Sequence, residues 1–177
     1  MGFINTRGVM LALRAQLARA VVGSALLLLL AGCVPICGIG SHLKLTNARV
    51  DASYTCPYPS SNRGYDLHGT IDVDNYTNNS VAIRSLSETN VTFAIHGGWT
   101  GPLNEKGGGN ITNYSPKSIA AGDKTTVHFV IPFQCTNSGP GADTYGDFSF
   151  KYKVVTTAGT FNLDGADTHR LKMQRAP

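Results

Sequence analysis

Tyr65, Leu67, Gly69, Ile71 and Val73 alternate with Asp66, His68, Thr70, Asp72 and Asp74, and this two-residue rhythm limits what the chain can become more than any other feature. Apolar groups at every second position give one dry face and one wet face, the signature of a β-strand in an antiparallel sheet. The rhythm recurs along the chain. Val50, Ala52, Tyr54 and Cys56 share a face, with Asp51, Ser53 and Thr55 opposite. Val127, Phe129, Ile131 and Phe133 form another series, and Phe148, Phe150, Tyr152 and Val154 the clearest one. Val91, Phe93 and Ile95 are expected to point inward, with Asn90, Thr92 and Ala94 outward. Phe161 with Leu163 continues the series, and Leu171 with Met173 predicts a short edge strand. No stretch carries a helical period.

The punctuation agrees. Asn75 to Asn79 is dense in turn formers between two strand-like runs, which predicts a hairpin. Ala121-Gly122-Asp123-Lys124 and Thr157-Ala158-Gly159 read as turns, and Thr136 to Tyr145 as a loop. Gly97 to Ser115 holds Gly97, Gly98, Gly101, Pro102 and the run Gly107-Gly108-Gly109, which argues against a regular strand through most of it. About seven to eight strands at this spacing predict an all-β fold, an antiparallel sandwich.

Trp99 is the sharpest binding candidate. It is the single tryptophan and lies in the glycine-rich loop, with Asn110 and Tyr114 nearby in sequence. Long loops carry function often enough to make an indole there a contact for a sugar ring or an apolar partner. The competing expectation is that Trp99 folds back over an open end of the sandwich. Asp72 and Asp74, followed by Asn75 and Asn78, have the oxygen chemistry of a hard-cation site, but Thr77 and Ile83 stand where a calcium loop needs glycine and glutamate. A solvated polar face is the expectation there. His68, His96 and His128 are each expected on an outer strand face, with no paired-histidine spacing, so no metal and no cofactor is expected. No nucleophile elbow, zinc helix or phosphate loop occurs, and an enzyme is not expected.

The N-terminal segment has a different character. Arg7, Arg14 and Arg19 are its only charges, followed by an apolar run with Leu26 to Leu30 unbroken. A basic start, a short apolar stretch and small residues at a cut site make the secretory pattern. Leu30-Ala31-Gly32-Cys33 resembles a bacterial lipobox. That resemblance implies cleavage before Cys33, a diacylglycerol and often an amide-linked palmitate-like chain on that cysteine, and anchoring in the cell membrane or outer membrane with the domain outside the cytoplasm. The expected organisation is a signal peptide over 1–32, a flexible tether over 33–43 and the sandwich over 44–177. Removing 32 of 177 residues leaves 145, one domain's worth. Three of the 15 basic residues leave with the signal, so twelve face eleven acidic ones. A balance so close to neutral gives no support to nucleic acid as a partner.

With Cys33 given to lipid, Cys56 and Cys135 each end a strand-like run in a disulfide-permissive compartment and are the favoured pair. Cys37 is left over, and its pairing with either remains open.

Gly69 to Asn75 with Asn79 to Ile83, and Ile119 to Val127, are similar to stretches of bacterial immunoglobulin-like modules. The resemblance implies an immunoglobulin-like sandwich and no particular ligand. Together these readings describe a membrane-anchored envelope lipoprotein acting as a non-catalytic binding module. The partners expected are the membrane, through lipid on Cys33, and another envelope protein or a glycan. The alternatives are a small envelope hydrolase or thiol-redox protein, using Cys37 or Cys135, and a metal-binding protein using the histidines.

Overall fold

The computed structural model describes residues 42–60 and 62–175. Cys33, Cys37 and the expected signal and tether lie outside them, apart from the first residues ahead of the opening strand. The chain is all-β, with no helix among the described residues. Its strands are β1 (Leu43–Val50), β2 (Ser53–Tyr58), β3 (Gly64–Asn75), β4 (Val81–His96), β5 (Lys106–Ile111), β6 (Asn113–Ser115), β7 (Ser118–Ile119), β8 (Lys124–Gln134), β9 (Tyr145–Thr156), β10 (Gly159–Asp164) and β11 (His169–Arg175).

Two sheets result. One runs β1-β3-β8-β6, and the other β2-β11-β9-β4-β5, with β10 added to β9 and β7 to β4. The alternating residues named above face each other across the gap. Leu67 and Ile71 of β3, Val127 and Phe129 of β8, Leu86 of β4 and Tyr152 of β9 are all buried. Each such side chain contributes roughly 1.5–3 kcal/mol by leaving water. Rings tie the sheets together: Phe129 meets Tyr152 at 5.4 Å, Phe133 meets Phe148 edge-on at 5.2 Å, and Tyr54 stacks on Tyr65 at 3.9 Å.

Cys56 and Cys135 form a disulfide across a sequence separation of 79 residues, with Cα atoms 5.8 Å apart. Cys56 belongs to β2, while Cys135 continues the β8–β3 ladder through its N–H to the Arg63 carbonyl. The bridge therefore joins one sheet to the other.

Several expectations are corrected. The Asn75–Asn79 turn is no hairpin, because β3 pairs with β1 and β8 while β4 pairs with β5, β7 and β9. The chain crosses between sheets here, and the buried Asn75 amide fixes the crossing by donating to the carbonyls of Asn79, Ile119 and Ala120. The Val50–Cys56 series is interrupted at Asp51 and Ala52, which carry the chain from β1 in one sheet to β2 in the other. Leu171 and Met173 lie on no edge. Their strand, β11, runs parallel to β2 and antiparallel to β9, so the sheet is mixed. Among the described residues eleven strands replace seven or eight, partly because β5 and β6 form inside the stretch expected to be irregular.

Strand β4 departs furthest from its pattern. Its pairing with β9 is irregular between Ile83 and Ser85. An extra residue shifts the side chains that follow to the opposite face, and a second irregularity falls between Thr92 and Ala94. Leu86, Glu88, Asn90 and Thr92 consequently point inward, and Phe93 and Ile95 are exposed.

Candidate functional site

The β4 phase shift buries polar groups. Glu88, Asn90 and Thr92 line the inner face of a strand whose sheet neighbour β5 is the outermost strand. The Asn90 amide donates to the Glu88 carboxylate at 3.2 Å, and the Gly109 N–H adds a second donor. Burial outweighs both and raises the Glu88 pKa above its ordinary 4.5. No ion pair among the described residues includes Glu88 or Glu105. These two are the only glutamates in the chain.

β5 can lie across this face because of its glycines. A Cβ on Gly108 would sit 2.5 Å from the Glu88 carbonyl oxygen, and the residue adopts φ +144°, where other side chains are strained. Bare backbone therefore covers Glu88, and β5 has no side chains from 107 to 109 to close the space beside it.

Trp99 approaches from the loop after β4. Its indole covers Gly146 of β9 and meets Phe148 edge-on at 6.1 Å. The loop is held by the Gly139 N–H to the Gly98 carbonyl and by the Thr100 N–H to the Ser138 hydroxyl. Trp99 is 9% exposed, yet its Nε1 has no hydrogen-bond partner. That nitrogen lies against Gly101, on the side where the Glu105 carboxylate also approaches. Tyr152 OH is the second buried, unpartnered side-chain atom, and it feels the Glu88 charge. Burial pushes that hydroxyl well above its ordinary 10.0.

One cleft of about 380 Å³ is lined by Glu88, Asn90 and Thr92 from β4, Trp99 and Glu105 from the loop, and Phe133 from β8; Tyr152 does not line it. The cleft lies between two open edges. β5 ends its sheet, and β6 covers β8 only from His128 to Val130, leaving Ile131–Gln134 unpaired on that side. A cleft with two carboxylates, rings and unpaired main chain suits binding by hydrogen bonds and charge.

Of the sequence candidates, Trp99 is in this cleft and Asn110 and Tyr114 are not. Asn110 is exposed on β5 opposite Ser87. Tyr114 sits on β6, with its hydroxyl donating to the Ile83 carbonyl and Lys117 over its ring. His68 and His128 border a shallow hollow with Asp51 and Arg49, away from His96, which stacks on Tyr145. Asp72 accepts from Asn47 and Thr126, which lower its pKa, and Asp74 pairs with Lys124 on the same wet face. Among the described residues no group of three or more metal-ligating side chains forms. Sequence reading missed Glu88, Asn90 and Glu105. Their one signal was that the chain places both its glutamates on either side of the Trp99 loop.

No protein-family model matches the chain, and no curated protein matches it. Among solved structures it is similar to the sporulation control protein Spo0M of Bacillus subtilis, at 15% identity and a TM-score of 0.37 over 77% of this chain and 51% of that one. The alkylpurine DNA glycosylase AlkC of Pseudomonas fluorescens gives 10% identity and 0.36 over 76% and 31%. The CooA pilin subunit of enterotoxigenic Escherichia coli gives 13% and 0.29 over 77% and 99%. The chain spans about half the length of Spo0M. None of the three reaches a TM-score from which a shared fold or activity follows.

Proposed function

We propose that this chain is an envelope lipoprotein, cut before Cys33, held to the cell membrane or outer membrane by lipid on that sulfur, and presenting an immunoglobulin-like sandwich as a non-catalytic binding module. The lipobox-like Leu30-Ala31-Gly32-Cys33 supports the anchor. One acyl chain holds only reversibly, so stable attachment needs the two or more chains that such a cysteine implies. Two facing sheets, a crossing between them after β3 and a disulfide joining them support the immunoglobulin-like assignment.

The observation that carries binding is the cleft between β5 and β8, where Trp99 Nε1 is buried without a hydrogen-bond partner and Glu88 is buried with hydrogen-bond donors but no counter-charge. Unsatisfied buried polar groups cost roughly 1–3 kcal/mol each, and a ligand that pairs with them recovers that cost. The lining offers carboxylates, amides and rings, with no thiol or imidazole.

Expression of the full chain in a bacterial host, followed by membrane fractionation and palmitate labelling, tests the anchor. The wild type is expected in the membrane fraction carrying label, and Cys33→Ser in the soluble fraction without it. A Cys33→Ser chain that still sediments with membranes overturns the anchor.

A second reading, a small envelope hydrolase, has one observation in its favour: Glu88 with a raised pKa shares a cleft with the exposed Glu105. Two carboxyl groups flanking the bond to be cut is the arrangement that glycoside hydrolysis uses. Turnover of aryl glycosides that Glu88→Gln abolishes would favour it over binding alone.

A further inference from the structure

We infer that the cleft receives a lysine or arginine side chain carried on an extended segment of a partner protein, which lies along the open edge of β5. The inference rests on the binding-module reading and supplies its partner class.

Charge argues first. The described aspartates that form ion pairs do so with cations of this chain: Asp74 with Lys124, Asp147 with Arg170, Asp164 with Lys151, Asp167 with Arg49, and Asp51 with His68. The two glutamates do not, and both face the cleft. Lys106 opens β5 but does not line the cleft. A buried carboxylate without a counter-charge is costly, and a cation from outside removes the cost. A long basic side chain fits the rest of the lining, with its methylene stem along Trp99 and Phe133 and its charged head at Glu88.

Hydrogen bonding argues for a peptide over a free amine. Trp99 Nε1 is a donor and needs an acceptor, which an ammonium group lacks and a peptide carbonyl provides.

The sheet edges argue for an extended segment. On β8 the uncovered stretch contains Pro132, which has no N–H to offer. On β5 the stretch 107–109 presents main chain without side chains, so a strand can approach and pair with it.

Trp99, being the only tryptophan, reports on this cleft directly. The test titrates the full acylated protein in detergent with a capped pentapeptide, Ser-Val-Lys-Val-Ser, and follows tryptophan emission. Its comparison probes are the same peptide with glutamine in place of lysine, putrescine, and the neutral sugar chitotriose. The lysine peptide is expected to shift the emission saturably and at least ten-fold more tightly than the glutamine peptide or putrescine, with affinity falling as salt rises. Glu105→Gln, an exposed change that leaves the core intact, is expected to weaken it several-fold, and Glu88→Gln more strongly. Equal binding of the lysine and glutamine peptides, or an unaltered Glu105→Gln, overturns the cationic partner while leaving a binding cleft. Equal binding of putrescine overturns the peptide. Saturation by chitotriose alone points to a glycan and overturns the inference. No response to any probe overturns both it and the cleft as the binding site, and membrane fractionation reports on the anchor independently.

Discussion

The indole of Trp99 lies so close over Gly146 that a Cβ at 146 would come within 2.6 Å of two ring carbons. Gly146→Ala must displace either the ring or the β9 backbone, and is expected to cost about 1–3 kcal/mol. Trp99→Ala, which empties the same space, is expected to cost about 3–5 kcal/mol. Denaturant titration followed by circular dichroism checks both. In Gly146→Ala the emission of Trp99 should also move to the red as the ring loses its cover.

His169 is fully buried, and its two ring nitrogens are both engaged. Nδ1 donates to the Asp51 carbonyl at 2.7 Å, and Nε2 accepts from the Tyr65 hydroxyl at 2.7 Å. Burial lowers its pKa below the ordinary 6.5, against the opposing pull of the Asp51 carbonyl. The unfolded chain therefore takes up this proton first as pH falls, and stability present above about 6.5 is lost below it. Tyr65, raised by burial above its ordinary 10.0, adds a loss at the alkaline end as pH rises past that value. Melting temperature measured from pH 8 to pH 4 should fall along the acid limb in the wild type. In His169→Gln the limb should be shallower.

Glu88 sets the proposed binding against stability. Its raised pKa means that the folded state favours the neutral acid, so stability falls as pH rises through 4.5 and the loss is complete above the raised value. Glu88→Gln removes that loss. At pH 7 its melting temperature is expected to rise by roughly 2–5 °C, with no rise at pH 4. A Glu88→Gln chain that is less stable at pH 7 would show that the carboxylate is satisfied within the fold.

The disulfide between Cys56 and Cys135 closes a long loop across both sheets. Chain-entropy estimates for a loop of this length give about 4–5 kcal/mol. Replacing both cysteines with alanine is expected to lower stability by that order, measured by denaturant unfolding with and without reductant. The reduced wild type should resemble the variant.

The strands most legible in the sequence were those whose register is unbroken. β3, β8 and β9 alternate as Leu67-Ile71, Val127-Phe129 and Phe150-Tyr152 predict, because pleating imposes a period of two wherever one face is dry. The disulfide partners were legible too, from their places at strand ends. β4 was not. Irregularities near Arg84 and between Thr92 and Ala94 break its alternation, so the apolar Phe93 and Ile95 misled and the polar Glu88 and Asn90 concealed the cleft. The glycines at 107–109 read locally as breakers, and pairing with β4 keeps them extended. Trp99 was legible as a residue of interest, but its seat on Gly146 depends on a contact 47 positions away that no local pattern encodes.

The position of β11 has a consequence for biogenesis. It is the last strand described, yet it sits inside its sheet with β2 on one flank and β9 on the other. Until it is delivered, β2 has no neighbour along its length, and Tyr65 lacks the imidazole that caps it. A polypeptide emerging N-terminus first cannot complete this body before β11 has emerged. Maturation of the body must therefore wait for β11, and any protease or stall that removes this strand leaves an unfinished product for quality control to clear.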